Sequence, residues 1–497
     1  MHGLTTNPHV PFIYNEQSLG RSGMDRTWEN NFQNALQTIG AQRATPDTPI
    51  MINMRGHGQD DYACIKRVAD LKLGMHTVCI ANDKVLVDRK SWSQATVSNI
   101  ALKYNVKDSR GRNHHFSEAD LDVLNKIGGK GTIVVGADCA HPMKGAHTAT
   151  PSIAAVMGST DNGFMHYPGS MRLQPSRKED ILELAEMLKE RLLDRAFANQ
   201  KAAEDPLVLP SNILFYRDGV SESQYDILRR RELPQVQIAY NKAFRSIQDN
   251  YPQPGATMPP NPIPPPDFSR TDWGVCSRKH RVETEKNADE AWAAQIAAQP
   301  NNVPFNLTYV VVGKRHNTRF YPDAKEVQGS KGNVKPGLVV DQVITHPYSM
   351  DFYLQSHEAI QGTARSAHYF TLQNNMGLSA DNLHRITHML CYAYARATKG
   401  VSYCAPAYYA DKLCDRGRAY LRHYYMGVPG FEPRAMRRAK SGPPPETYEQ
   451  YIRDILIDVR HDAHYQPYYD PEDPPQHYGV DRQNPWHYNL DNTMFYL

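Results

Sequence analysis

No sign of charge dominates these 497 residues: 56 lysines and arginines face 53 aspartates and glutamates, for a formal net charge of +3. Any nucleic-acid site must therefore be a local basic patch, not an overall basic field. Cysteine is sparse too. The seven present are scattered with no C-x-x-C pair, which argues against a zinc ribbon and a disulfide framework. Reduced thiols in a cytoplasmic protein are the expectation. No apolar run approaches the roughly 18 residues that span a bilayer. The opening MHGLTTNPHV lacks the basic-then-apolar pattern of a secretory signal. A soluble intracellular protein is expected.

The chain has length for two or three domains and, at 40% hydrophobic residues, enough apolar content for a packed core. Thirty-five prolines predict long polar loops. The first 45 residues give little beyond a helix near Asn30–Ile39. From Thr48 the pattern sharpens: an apolar run Pro49–Met54, a glycine-containing turn, a helical Tyr62–Leu73, a second run Thr77–Ala81 and a helical Ser91–Tyr104. Strand, helix, strand, helix over about 60 residues predicts a small α/β domain with parallel strands. The polar piece from Lys107 to Lys130 reads as a linker.

A second α/β pattern begins at Gly131–Ala137 and continues with strand-like runs at Ser152–Met157, Ile213–Tyr216, Leu307–Val312 and Leu338–Ile344. Helices are expected over 176–193, Ser379–Tyr394 and Tyr408–Tyr424. Ser176 and Glu179 match an S-x-x-E capping box at the start of the first of these. Two stretches, near 250–300 and 428–480, read as surface insertions that do not pack.

Asp138 follows the apolar run GTIVVGA, and Asp218 follows Ile213–Tyr216. Both carboxylates are thus expected at carboxyl ends of buried strands, where open α/β sheets gather their ligands. Side by side they repel unless cations intervene, and oxygen donors favour Mg²⁺ or Mn²⁺. On residue pattern alone, a strand-end aspartate is more often a turn or cap residue than a metal ligand.

GADCAHP (136–142) and YRDGVSESQ (216–224) resemble the two aspartate signatures of the PIWI domain of eukaryotic Argonautes. KRHNTRFYP (314–322), THPYSMDFYLQSHEAIQGTARSAHY (345–369), APAYYADKLCDRGRAYLRHYY (405–425) and the terminal TMFYL continue the resemblance in the family's order. The fold it implies is a small Rossmann-like MID domain over 1–125, N-terminally short, then a ribonuclease H-like PIWI domain over 126–497. The insertions and proline usage resemble those of fungal Argonautes that act in quelling. By the family's pattern the catalytic residues are Asp138, Glu179, Asp218 and Asp411. Asp138, Asp218 and Asp411 would hold two Mg²⁺ or Mn²⁺ ions, and Glu179, on the intervening helix, would orient water.

YACIKRVADLKLGMHTVCI (62–80) resembles the MID domain, which grips a guide RNA's 5′-phosphate. Tyr62 and Lys66 share a helical face, as do Lys103 and Lys107. The resemblance implies that Tyr62 stacks on the first base while Lys66, Lys103, Lys107 and Arg416 hold the phosphate. Val78 stands where many relatives have a glutamine, leaving Thr77 or a backbone amide to substitute. Lys314, Arg315, Arg319, Gln361 and Arg365 would follow the guide backbone. The implied partners are a 5′-phosphorylated guide RNA, a complementary target RNA and silencing-complex proteins, with no membrane. The implied activity is endonucleolytic cleavage leaving 5′-phosphate and 3′-hydroxyl ends. A guide-loaded repressor that cuts nothing and an unguided ribonuclease H-like enzyme are the rivals. The N-terminal and PAZ domains of a whole Argonaute do not fit before Pro46, so a fragment that cleaves weakly by itself is expected.

Overall fold

The computed structural model describes residues 26–40, 48–54, 59–81, 94–107, 111–126, 131–142, 150–200, 207–252, 256–266, 278–323, 332–359, 361–425 and 483–497. The expected insertion near 428–480 lies outside them, as does the whole turn at Arg55–Gly58.

Strands β1 (Ile50–Met54) and β2 (Thr77–Ala81) pair in parallel, as the strand–helix–strand pattern predicts. Helix α1 (Arg26–Gly40) and helix α2 (Gln59–Lys66) lie on this small sheet. α2 widens into a π-helical turn over Arg67–Leu73 and ends at Gly74, whose φ of 58° is left-handed. A side chain there would also meet His487 Nδ1 at 2.4 Å, so the C-terminal segment closes over this turn. Helix α3 (Gln94–Lys107) follows, then helix α4 (Glu118–Lys126). The predicted linker is therefore partly built. Val123 and Leu124 are buried, and Asn113 Nδ2 donates to the carbonyls of Leu102 and Ala395.

The remaining strands make one eight-stranded sheet: β3 (Thr132–Ala140), β4 (Ser152–Gly158), β5 (Gly169–Gln174), β6 (Asn212–Asp218), β7 (Asn306–Gly313), β8 (Leu338–Val340), β9 (Asp351–Gln355) and β10 (Ala367–Asn374). Their order is β5-β4-β3-β6-β7-β10-β9-β8. β3, β6 and β7 are parallel and central, and the other pairings are antiparallel. The expected strand over Leu338–Ile344 stops at Val340, and Val343 beyond it is wholly exposed with a φ of 69°.

Each face of the sheet carries its own core. Ile133, Val135 and Ala137 of β3, Ile213 and Phe215 of β6, and Tyr309 and Val311 of β7 pack under α5 (Leu184–Asn199), α6 (Leu233–Asn250) and α7 (Arg278–Ala297). The alternate residues, Val134, Leu214, Tyr216, Val310 and Val312, pack under α8 (Ala380–Tyr392), α9 (Ala405–Tyr425) and the terminal Met494–Leu497. α9 lies so close on β3 that a Cβ at Gly136 would stand 2.0 Å from the Pro406 carbonyl oxygen.

Two expectations fail here. α7 packs, although it falls in a predicted surface insertion. Trp292 and Ile296, one helical turn apart, are 3% and 2% exposed, and the indole donates to the Ile263 carbonyl. Asp289 on the same helix accepts from Arg230 and Arg231. So few apolar residues, in a strongly charged helix, leave almost no periodic signal. The predicted helix over 176–193 begins only at Leu184, and the Ser176–Glu179 capping box is not formed. Side chains hold that backbone instead. Gln174 Nε2 donates to the carbonyls of Lys178 and Asp180, and Glu232 Oε1 accepts from the Ile181 amide. Arg177 sits at φ 61°, a left-handed angle no helix contains.

Candidate active site and anion pocket

Parity brings the acidic residues together. On β3, Asp138 continues the face of Val134 and Gly136; on β6, Asp218 continues that of Leu214 and Tyr216. The register pairs Ala137 with Arg217, so the two aspartates come next to one another on adjacent parallel strands. α9 covers this face and carries Asp411. Asp138 is 8% and Asp218 2% exposed.

Burial raises the Asp138 carboxyl to about 7, with the neighbouring Asp218 adding to the shift. Arg217 and Lys314 oppose it, and Asp411 reinforces it. Burial likewise raises Asp218, against the pull of Lys314. Such a pair gains if a cation enters. Asp218 Oδ1 is buried and has no hydrogen-bond partner among the described residues. An orphaned carboxylate oxygen beside other oxygen donors suits a hard divalent cation such as Mg²⁺ or Mn²⁺. Among the described residues, however, no three histidine, cysteine or acidic side chains already converge as a metal-ligand set. The Asp411 carboxylate lies 3.2 Å from Lys412 Nζ and is about one-third exposed.

Glu179 comes from the irregular segment before α5, not from a helix. Its Oε2 accepts from His141 Nε2 at 2.6 Å. With that proton on Nε2, His141 Nδ1 accepts a hydrogen bond from the Ser152 hydroxyl at 2.8 Å, while Ser152 Oγ accepts from the Arg177 amide. The Glu179 carbonyl accepts from Arg217 Nη2, whose guanidinium is also paired with buried Glu232. Gly219, at φ 89°, completes the arrangement. A Cβ there would stand 3.1 Å from Asp138 Oδ1 and 3.7 Å from Glu179 Oε1, so glycine keeps open the space that both carboxylates border.

Lys314, grouped by the resemblance with the guide-backbone residues, stands in this acidic cluster. It continues the Val310–Val312 face of β7, and its Nζ is 2.8 Å from Asp218 Oδ2 and 3.5 Å from the centre of the Tyr403 ring. Arg315, Gln361 and Arg365 are exposed. Arg319 donates to the carbonyls of His316 and Thr318.

The second constellation lies where α9 meets the small sheet. Lys66 Nζ donates to Thr77 Oγ1 at 2.6 Å and to the Thr77 carbonyl at 2.8 Å, and Lys107 Nζ donates to the same carbonyl at 3.0 Å. Lys66 Nζ and the Arg416 guanidinium approach the Tyr62 ring to 5.6 and 6.0 Å. Arg416 bonds Asp70 at 2.5 Å and the Tyr496 carbonyl at 3.0 Å. Burial, helped by Arg396 and Lys66, pushes Lys103 down to about 8. Burial, with Lys66 and Arg416, lowers Lys107 as well. Cations so crowded that they depress one another make a natural anion site. Val78 is 2% exposed and packs with Ile80, Ile100 and Tyr104. It faces core, while Thr77 orders two of the lysines.

Arg217, Arg396 and Asp70 carried no sequence signal as site residues, whereas His141 stands beside Asp138 in GADCAHP, a position to which the sequence alone assigns no role. For Lys314 a signal existed: it falls two residues beyond Val312, on the Val310–Val312 face.

A family model described as the Piwi domain matches residues 49–253 and 282–422. The chain is 32% identical over 391 residues to Protein argonaute 5 of Arabidopsis thaliana, covering 76% of this chain and 33% of the relative. It is 33% identical over 383 residues to Protein argonaute 18 of Oryza sativa subsp. japonica, covering 76% and 28%. The chain thus spans about a third of the length of these curated relatives. Among solved structures, the C-terminal lobe of a budding yeast Argonaute superposes with a TM-score of 0.62 at 23% identity, over 93% of this chain and 72% of that one. Kluyveromyces polysporus Argonaute, solved with a guide RNA, gives 0.63 at 23% identity, over 94% and 43%. At that identity the likeness speaks for the fold, and the large mixed sheet agrees with a ribonuclease H-like Piwi architecture. No described helix is long and apolar enough to cross a membrane. On the Piwi-domain match and these relatives, the chain belongs to the Argonaute family.

Proposed function

We propose that this chain anchors the 5′-phosphorylated end of a small guide RNA and cleaves a complementary target RNA, in small-RNA-guided silencing. The division of labour follows the two constellations, with the MID-type part over 1–125 and the Piwi part from 126 onward. The observation that carries the cleavage reading is the pairing of buried Asp138 and Asp218 on adjacent parallel strands, with Glu179 bordering the same space at Gly219.

Asp138, Asp218 and Asp411 would hold two divalent cations. When bound, these would supply Lewis acidity at the attacking and leaving oxygens of a phosphodiester. Glu179, fixed by His141 and Arg217, orients the attacking water and holds it in line. In-line attack leaves a 5′-phosphate on one product and a 3′-hydroxyl on the other. At the other site, Lys66, Lys103, Lys107 and Arg416 neutralise the guide's terminal phosphate. Thr77 keeps Lys66 and Lys107 in place, and Tyr62 offers a ring to the first base. Arg315, Gln361 and Arg365 are exposed for contacts along the guide backbone.

One observation favours a second reading, a guide-binding silencing module that does not cut: Asp411 lies beside Lys412 and not within a closed ligand set. The test separates them. The protein is loaded with a 5′-phosphorylated guide and given a labelled complementary RNA with Mg²⁺, then with EDTA, then as Asp138→Ala. A single cut lost in both controls supports the slicer. Binding that depends on the 5′-phosphate, with no cut under any condition, supports the non-cleaving module.

A further inference from the structure

Lys314 pairs directly with one member of the acidic pair. Its Nζ is 2.8 Å from Asp218 Oδ2, within the catalytic face. Tyr403, itself 3% exposed, presents its ring 3.5 Å away, close enough for a cation–π contact. The ammonium is thus held from two sides, by a carboxylate that is 3% exposed and by an aromatic face. Asp218 divides its two oxygens: Oδ2 goes to Lys314, whereas Oδ1 has no hydrogen-bond partner among the described residues. Lys314 also reaches Asp138 electrostatically, opposing the burial of its charge. Lysine is suited to this, as a compact point charge on a flexible stem that can withdraw without breaking a bidentate fork.

We propose that Lys314 is a positioning residue of the catalytic centre, a resident cation that pairs Asp218 and competes with divalent metal for it. This rests on the reading of Asp138 and Asp218 as metal ligands. It assigns Lys314 two opposed effects. Without divalent metal, the lysine relieves repulsion between the buried carboxylates and supports the fold. With metal, the same charge repels the incoming ion and weakens its binding. RNA phosphates near the site offer Lys314 another partner, so nucleic-acid loading and metal affinity become linked in the same direction.

The opposed signs make the test. Mn²⁺ binding to the full chain is titrated by electron paramagnetic resonance, and melting is measured in EDTA, for wild type, Lys314→Met, Tyr403→Leu and Asp138→Ala. Lys314→Met should bind Mn²⁺ about tenfold more tightly yet melt at a lower temperature in EDTA. Tyr403→Leu, which removes the ring holding the ammonium, should tighten Mn²⁺ binding by less. Suppose wild type binds Mn²⁺, Asp138→Ala abolishes it, and Lys314→Met binds equally or more weakly. The competition is then overturned while the metal-ligand reading stands. If neither wild type nor Lys314→Met binds Mn²⁺, both readings fall.

Discussion

The carboxylate centre and the basic pocket are electrostatic opposites built by the same device. At the ends of β3 and β6, burial and like charge raise two aspartates. Where α9 meets the small sheet, burial and like charge lower two lysines. Each region has internal counter-charge, Arg217 and Lys314 in the first and Asp70 in the second, and neither region is neutralised by it. They differ in rigidity. Lys66 and Lys107 are tied to Thr77, and Arg416 to Asp70 and Tyr496, so the anion pocket is formed in advance. In the acidic centre Asp218 Oδ1 lacks a hydrogen-bond partner among the described residues, and Asp411 lies with Lys412. The difference teaches that the basic pocket is preorganised for an anion, whereas the carboxylate centre is left to be completed by a ligand.

The comparison breaks most sharply at Asp218. Asp218→Asn should lower guided cleavage on the order of 10³-fold in single turnover while leaving guide affinity unchanged. Gel-shift titration and a cleavage time course on one preparation check it. Lys66→Ala should do the converse. It should weaken a 5′-phosphorylated guide roughly 10- to 100-fold, the worth of a charge-assisted hydrogen bond or two, and leave a 5′-hydroxyl guide nearly unaffected.

A pH series sharpens the contrast further. Lys103 loses its proton near pH 8 in the free protein, below the ordinary lysine range. Phosphate binding requires the charged form, so affinity should fall by up to about tenfold per pH unit above 8. Lys103→Arg should flatten that slope. The same lowered value means the unfolded chain holds more protons between pH 8 and the ordinary lysine range, so this group's contribution to stability rises with pH there. The smallest effect is expected at His141. His141→Ala removes the hydrogen bond to Glu179 and should reduce cleavage about tenfold, with Mn²⁺ affinity and guide affinity both unchanged.

How much was legible in the sequence follows from which forces are local. GTIVVGA and its trailing aspartate mark a buried strand, and the structure extends it to Ala140 with Asp138 still inside the ladder. Asp138 and Asp218 share a face through alternation within each strand together with the register between β3 and β6, and only the first can be read from the sequence. The small parallel sheet is legible for the same reason. What misleads is a local signature outvoted by distant partners. Ser176 and Glu179 match a capping box, yet Gln174, Glu232 and Ser152 take the backbone amides and carbonyls around them. β5 takes its register from the preceding β4, and β9 and β10 set one another's, so each alone leaves a weak pattern. α7 is fastened by one tryptophan and a pair of arginines, too few for periodicity to reveal. Lys314 sits on a basic segment whose resemblance suggests RNA contact, and only the sheet order reveals its acidic neighbour.

The central claim is that the two regions are the ends of one ruler: the guide's 5′-phosphate is fixed in the basic pocket, and the target is cut at the carboxylates. The most direct measurement maps the cut on one labelled target with two guides whose 5′ ends differ by one nucleotide. The account predicts that the cut moves by one nucleotide with the guide's 5′ end. A cut that stays at one place in the target whichever guide is loaded would contradict it.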